Sequence, residues 1–284
     1  MPEKSDLLKN ASTLGDEIFL RSFPVHPMVA LFIALPLESL PKDFQVSPIK
    51  HGANVIIQSG VFYSSKHKKH IPAGLPFGMA ARRILLFFFH HFYLNPDFKF
   101  RTDRNTKEVF HDFGYNFVKN RRSSIPSINF QLIPLCDITF TEDKHLKEIG
   151  VELGDDPFSK IFLRGTADDG KTYVEYKRNP KFIFSMRFPV DFKKVLKSRK
   201  KSEFWNVYLF LVDVLPRIPK GKTQRISWAI IHDIFYQRYG TIANSKYYFK
   251  KHVSEVFEIY PQAKTRVDTS DSEDLLLKNA PAPI

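Results

Sequence analysis

Residues 227–261, SWAIIHDIFYQRYGTIANSKYYFKKHVSEVFEIYP, carry the pattern on which the fold turns. Ser227 is a favoured N-cap residue, and Ile230, Ile231, Ile234 and Phe235 behind it recur at the spacing of one helix face. That helix should run to about Tyr239. Gly240 stops it, because glycine adopts without steric cost the left-handed backbone needed between two crossed helices. After Thr241-Ile242-Ala243-Asn244 the sequence predicts Ser245 as the cap of a further helix ending near Ile259. Along it Phe249, Val253, Val256, Phe257 and Tyr260 fall at i, i+4, i+7, i+8 and i+11, one buried stripe. Ser245, Lys246, Tyr247, Lys250 and Lys251 are left on the opposite or flanking faces, and Pro261 closes the helix.

Working outward, Phe204–Val214 predicts an amphipathic helix ended by Pro216, and Arg225-Ile226 a short strand. Lys264–Asp268 and Asp274–Lys278 predict a hairpin with Thr269–Glu273 as its tip. The order helix, strand, helix, turn, helix, hairpin over 203–277 is that of a winged helix-turn-helix, whose last helix lies in the major groove of DNA. The tip is acidic at Asp268, Asp271, Glu273 and Asp274, which suits phosphates badly, so Lys264, Arg266 and Lys278 are the hairpin residues expected to face DNA. The remaining candidate DNA contacts are Arg225, Ser227, Asn244, Ser245, Lys246, Tyr247, Lys250 and Lys251, with Lys193, Lys194 and Lys197 upstream. Lys246 is expected to read a base, Lys251 to neutralise phosphate, and Asn244 and Ser245 to donate to either. A winged helix can instead serve protein contact or dimerisation; the lysines favour nucleic acid.

Composition agrees. Lys and Arg number 43 against 30 Asp and Glu among 284 residues, a formal charge of +13, and such a surface attracts a polyanion. Twenty-eight phenylalanines supply ample core. A single cysteine, Cys136, excludes an intramolecular disulfide and a cysteine-based zinc site, which points to a reducing, cytoplasmic setting. Met1–Glu17 is too polar for a secretory signal, and the apolar runs Met28–Leu35 and Ile84–Phe89 are far shorter than the ~20 residues that span a bilayer. No membrane association is expected.

The rest of the chain reads as a flexible leader over 1–22 and an N-terminal domain over 23–182, with the C-terminal domain at 183–284. Prolines 24, 27, 36, 41 and 48 forbid long helices, leaving strands around Met28–Leu35 and Asn54–Ser59. Lys66–His70 reads as a solvated turn. Gly78–Tyr93 (GMAARRILLFFFHHFY) predicts a helix apolar nearly all round, hence buried. Its adjacent His90 and His91 point about 100° apart, which is wrong for a metal pair. Phe98–Arg101 should be extended, Thr102–Tyr115 a short helix, and Ile128–Phe140 an apolar run entering a strand. Lys160–Arg164, Thr172–Tyr176 and Phe182–Phe188 read as strands. From Pro189-Val190-Asp191 onward the chain is helical and basic.

Gly165–Thr172, GTADDGKT, matches the phosphate-loop pattern letter for letter. That pattern works only where the lysine and threonine open a helix. Here the following Tyr-Val-Glu-Tyr alternates like a strand and two aspartates fill the loop, so a hairpin is predicted. Metalloprotease and nucleophile-elbow motifs are absent. No enzyme activity, metal or cofactor is expected.

On these residues the chain resembles plasmid replication initiators of the RepA type. The similarity lies in Pro27–Leu37 (PMVALFIALPL), Asn54–Gly60 (NVIIQSG), and Gly74-Leu75-Pro76-Phe77-Gly78 leading into ARRILL at 81–86. It continues in Pro189-Val190-Asp191, NVYLFL at 206–211, Arg225-Ile226-Ser227-Trp228, Tyr260-Pro261 and the ending Leu275-Leu276-Leu277-Lys278 to Pro281-Ala282-Pro283. The resemblance implies an α+β fold: two winged-helix units in tandem, preceded by an irregular, β-containing N-terminal segment. It implies a homodimer held mainly by the first unit, binding of double-stranded origin repeats by the second, duplex opening, recruitment of host replication proteins, and repression of its own promoter. Thr106–Leu135, interrupted by Pro126 and Pro134, departs from the helix-turn-helix of the family's first unit and leaves DNA contact there open. The alternatives are a winged-helix transcription regulator with no replication role and a DNA-nicking or recombining enzyme.

Overall fold

The computed structural model describes residues 201–236 and 239–283, and before them 29, 32–33, 35–37, 46–47, 57–58, 61–64, 67–72, 74–95, 99–101, 139–141, 158–160, 162–166, 168–169 and 172–176. The expected leader 1–22, the helix Thr102–Tyr115, the strand Phe182–Phe188, and Lys193, Lys194 and Lys197 lie outside these residues. Val29, Phe32 and Ile33 are helical, correcting the strand expected over Met28–Leu35. The buried side chains Val29, Phe32 and Leu35 follow one another at three-residue intervals, about one helical turn rather than an alternation.

Short strands follow: β1 (Val46–Ser47), β2 (Ile57–Gln58), β3 (Val61–Ser64) and β4 (Lys69–Pro72). β3 and β4 form a hairpin whose turn exposes His67 and Lys68, as expected of the basic stretch. Helix α1 (Gly78–Leu94) comes next, then β5 (Lys99–Arg101), β6 (Thr139–Thr141), β7 (Phe158–Lys160), β8 (Phe162–Thr166) and β9 (Thr172–Tyr176). One antiparallel sheet has the order β1-β2-β6-β7 and another β5-β9-β8. The strand expected over Lys160–Arg164 is therefore two strands in two sheets. Thr166 pairs with Thr172 across the turn at Asp168-Asp169, and Thr172 opens a strand. The phosphate-loop lettering thus lies on a hairpin, as its flanks require.

Arg82 ties the early segments to the C-terminal third. It is fully buried on α1, and its guanidinium donates to the carbonyls of Phe32, Leu35, Pro36 and Gly78 at 2.7–3.2 Å and to Asn206 Oδ1 at 3.1 Å. Burial pushes its pKa down to about 9, with Glu203 opposing. Five acceptors replace the water that burial removes, which keeps the cation tolerable there.

Asn206 belongs to α2 (Ser202–Val214), continued by a 3-10 turn Leu215–Arg217 in which Pro216 offers no N–H. Every residue of α2 is buried, correcting the amphipathic reading. A helix lying between α1 and the elements beyond it needs no solvent face. Its two acids are paired instead: Glu203 accepts from Tyr239 Oη at 3.1 Å, and Asp213 from Arg217 one turn on.

β10 (Thr223–Ser227) leads into α3 (Trp228–Ile231), and Ser227 Oγ accepts from Ile230 N as its cap. The helix then widens into a π turn over His232–Tyr236. Widening changes which side chains face inward. Ile230 and Ile231 are buried, and their inward successors lie five residues on, at Phe235 and Tyr236, while Ile234 is only half-buried. An i→i+5 ladder replaces the i→i+4 spacing that placed Ile234 inside. Phe235 packs edge-on against Phe210 at 5.3 Å, and Tyr236 lies against Phe249.

Gly240, at φ +73°, makes the turn. α4 (Ile242–Ile259) follows, and its cap is Thr241, whose side chain accepts from Asn244 N at 3.2 Å. Ser245 is already inside the helix. Phe249, Val253, Val256 and Tyr260 are buried as the stripe predicts, joined by His252, while Phe257 is half-buried. After a 3-10 turn at Pro261–Ala263, β11 (Val267–Asp268) and β12 (Asp274–Lys278) form the C-terminal hairpin. β12 is central, pairing Thr223 with Lys278 through Ser227 with Asp274 on one side, and Val267 with Leu277 on the other. Leu275 and Leu277 are fully buried and Lys278 is exposed, the alternation of a sheet with one face on the core. Lys264 and Arg266 sit in the turn before β11, not in a strand. The region is α+β: helices packed on a small three-stranded antiparallel sheet.

Candidate nucleic-acid interface

α4 presents one face to the core and the other to solvent. Its outward N-terminal half carries Ile242, Ala243, Asn244, Tyr247 and Lys251, all exposed, with Lys250 half-buried beside them. Glu258, also exposed, makes the last turns acidic. The basic part of the face is therefore confined to the first three turns. Tyr247 abuts Tyr248 edge-on at 5.3 Å, and Tyr248 stacks on Tyr239 at 4.2 Å, so the aromatic row is anchored across the Gly240 turn.

The expected site residues divide into two groups. Asn244, Tyr247, Lys250 and Lys251 share the outward face. Asn244 Nδ2 also donates to Tyr239 O at 3.1 Å, steadying the turn. Ser245 does not share that face: it is fully buried, donates to Thr241 O at 3.0 Å and lies 2.7 Å from His232 Nδ1. Because Thr241 caps the helix, Ser245 falls one turn in, on the core side, and cannot donate to DNA. Ser227 acts as a helix cap.

Lys246 and Arg225 are both engaged with the hairpin tip. Lys246 is half-buried; its Nζ donates to Asp271 O and lies 5.0 Å from the centre of the Trp228 ring. Arg225 reaches Asp274 at 2.8 Å and Asp271 at 3.9 Å. Trp228 binds the same segment twice, through its backbone N to Glu273 O and its Nε1 to Asp271 O. The acidic tip thus folds back onto the protein's own cations. Backbone N–H groups of Asp274 and Glu273 hold the Asp271 carboxyl below its ordinary range, and Ser270 does the same for Asp268. A reading of charge along the chain sees the acids but not that Arg225 and Lys246 face them.

Lys264 and Arg266 are exposed, but they follow the C-terminal end of α4, whose 18 residues span about 27 Å. They do not join Asn244 and Tyr247 at the other end. His252, missed in the sequence, lies buried on the stripe with Tyr236 Oη 2.7 Å from its Nδ1. Its position three residues after Phe249 was the available signal.

Among the described residues no group of three or more His, Cys, Asp or Glu is placed to hold a metal ion, and no helix is long and apolar enough to cross a membrane. Compared with family models, curated proteins and solved structures, the chain matches none.

Proposed function

We propose that the C-terminal region is a winged helix-turn-helix that binds double-stranded DNA, with α4 as the helix entering the major groove. The observation that carries this reading is the exposed half of α4, where Asn244, Tyr247, Lys250 and Lys251 stand outward at the end adjoining the Gly240 turn. The element order and the sheet order β10-β12-β11 support it. So does the net charge of +13. Taken with the RepA-type resemblance, we infer a non-enzymatic, cytoplasmic plasmid replication initiator. In this reading two winged-helix units lie in tandem, the first dimerises, and the protein binds origin repeats, recruits host replication proteins and represses its own promoter.

Footprinting of the full chain on DNA flanking its gene tests the reading. Protection of repeated sites is expected, lost in a Lys250→Ala, Lys251→Ala variant of unchanged melting temperature. Equal binding by that variant overturns the assignment of α4. Deleting the repeats should abolish plasmid copying; copying that survives the deletion leaves a transcription regulator. Nicking of supercoiled DNA with magnesium would instead reveal an enzyme.

A further inference from the structure

Two of the three polar residues at the start of α4 that were expected to meet bases are withdrawn from its outward face. Ser245 is fully buried and Lys246 is held by the hairpin tip, while Asn244 stays exposed with its Nδ2 donating to Tyr239 O. Apart from Asn244, what stands outward over the first two turns is apolar. Ile242 is 46% exposed and Tyr247 65%, and among the described residues these are the exposed large hydrophobic side chains. Ala243 is exposed between them. Solitary exposed apolar residues are ordinary on a protein surface. Here, however, both stand on the first two turns of one helix.

Their setting narrows what they can meet. Lys250 and Lys251 lie one turn beyond Tyr247, so the apolar end is bordered by cations suited to phosphates. In the major groove the apolar feature of a base pair is the 5-methyl group of thymine, which alanine and aromatic side chains contact. We propose that Ile242, Ala243 and Tyr247 select thymine methyl groups, so that the DNA site is specified here by A·T pairs read through apolar contact rather than by hydrogen bonds to guanine. This rests on the reading of α4 as the helix that faces DNA. Ala243 and Tyr247 are one turn apart on nearly the same face, a rise of about 6 Å against about 3.4 Å per base pair. The thymines should therefore lie within about two base pairs of each other.

The test uses the full chain and the duplex it protects best. Each thymine is replaced in turn by deoxyuridine, which removes only the methyl group, and affinity is measured by fluorescence anisotropy. One or two neighbouring positions should weaken binding roughly fourfold each, the worth of one buried methyl. The effect should vanish in an Ile242→Ala, Tyr247→Ala variant. Both side chains are exposed, so the variant should melt as the parent does; the deoxyuridine series needs no variant. Specific binding that every deoxyuridine leaves unchanged within about twofold, or an effect that persists in the variant, overturns the thymine inference alone. Absence of any sequence-preferring binding overturns the reading of the unit together with it.

Discussion

Replacing Lys246 with methionine should loosen the hairpin tip while removing no phosphate contact. The ammonium donates to Asp271 O and lies 5.0 Å from the Trp228 ring centre, in a half-buried setting. A hydrogen bond from a charged donor contributes about 1.5 kcal/mol at the low end of its range. A cation over an indole at a partly exposed position adds about 0.5–1 kcal/mol. Methionine keeps much of the aliphatic stem, so packing changes little, and the expected loss is about 2 kcal/mol. Urea unfolding followed by tryptophan fluorescence would report it, because one of the two tryptophans, Trp228, lies directly under the lysine. On DNA the slope of log K against log salt should stay as in the parent. Lys251→Ala should instead lower it by about 0.9 with little change in stability. If Lys246→Met lowers the slope by that amount and leaves stability intact, Lys246 swings out to phosphate, and the closed tip is not the state that binds.

Burial holds the pKa of His252 below its ordinary 6.5, with Glu203 and Glu255 opposing and Lys251 and Lys201 assisting. The unfolded chain therefore binds the extra proton more readily. The stabilisation is complete above about pH 6.5 and lost as pH falls toward the folded value, and His252→Gln should flatten that part of the curve of unfolding free energy against pH. Leu86 is fully buried on α1, so Leu86→Asp should cost several kcal/mol or prevent folding; an unchanged melting temperature would refute its burial. Lys171→Ala should leave DNA binding unaltered, and calorimetry should detect no ATP binding, since Thr172 opens a strand rather than a helix; micromolar affinity would contradict this.

Spacing along the chain was enough to place the breaks around α4 and the inward stripe of its later turns. Gly240 and Pro261 bound α4, and its stripe from Phe249 to Tyr260 is inward except for the half-buried Phe257. The hairpin between β8 and β9 was legible from its alternating flanks despite the phosphate-loop lettering. These features are local, since a helix or strand period is set by backbone geometry within a few residues. The π turn was not legible. Its wider spacing turns Tyr236 inward in place of Ile234, against Phe249 and His252, while Phe235 is inward as expected. Nor could the sequence choose between Thr241 and Ser245 as the cap, because both residue types cap well and only the backbone path after Gly240 separates them. The tertiary structure alone decided which charges are available. Lys246 meets Asp271 across 25 positions, Arg225 meets Asp274 across 49, and Arg82 meets Asn206 across 124. Contacts at such separations depend on how finished elements pack, which local periodicity does not encode, so a lysine on the right face of a helix can still belong to the protein's own hairpin.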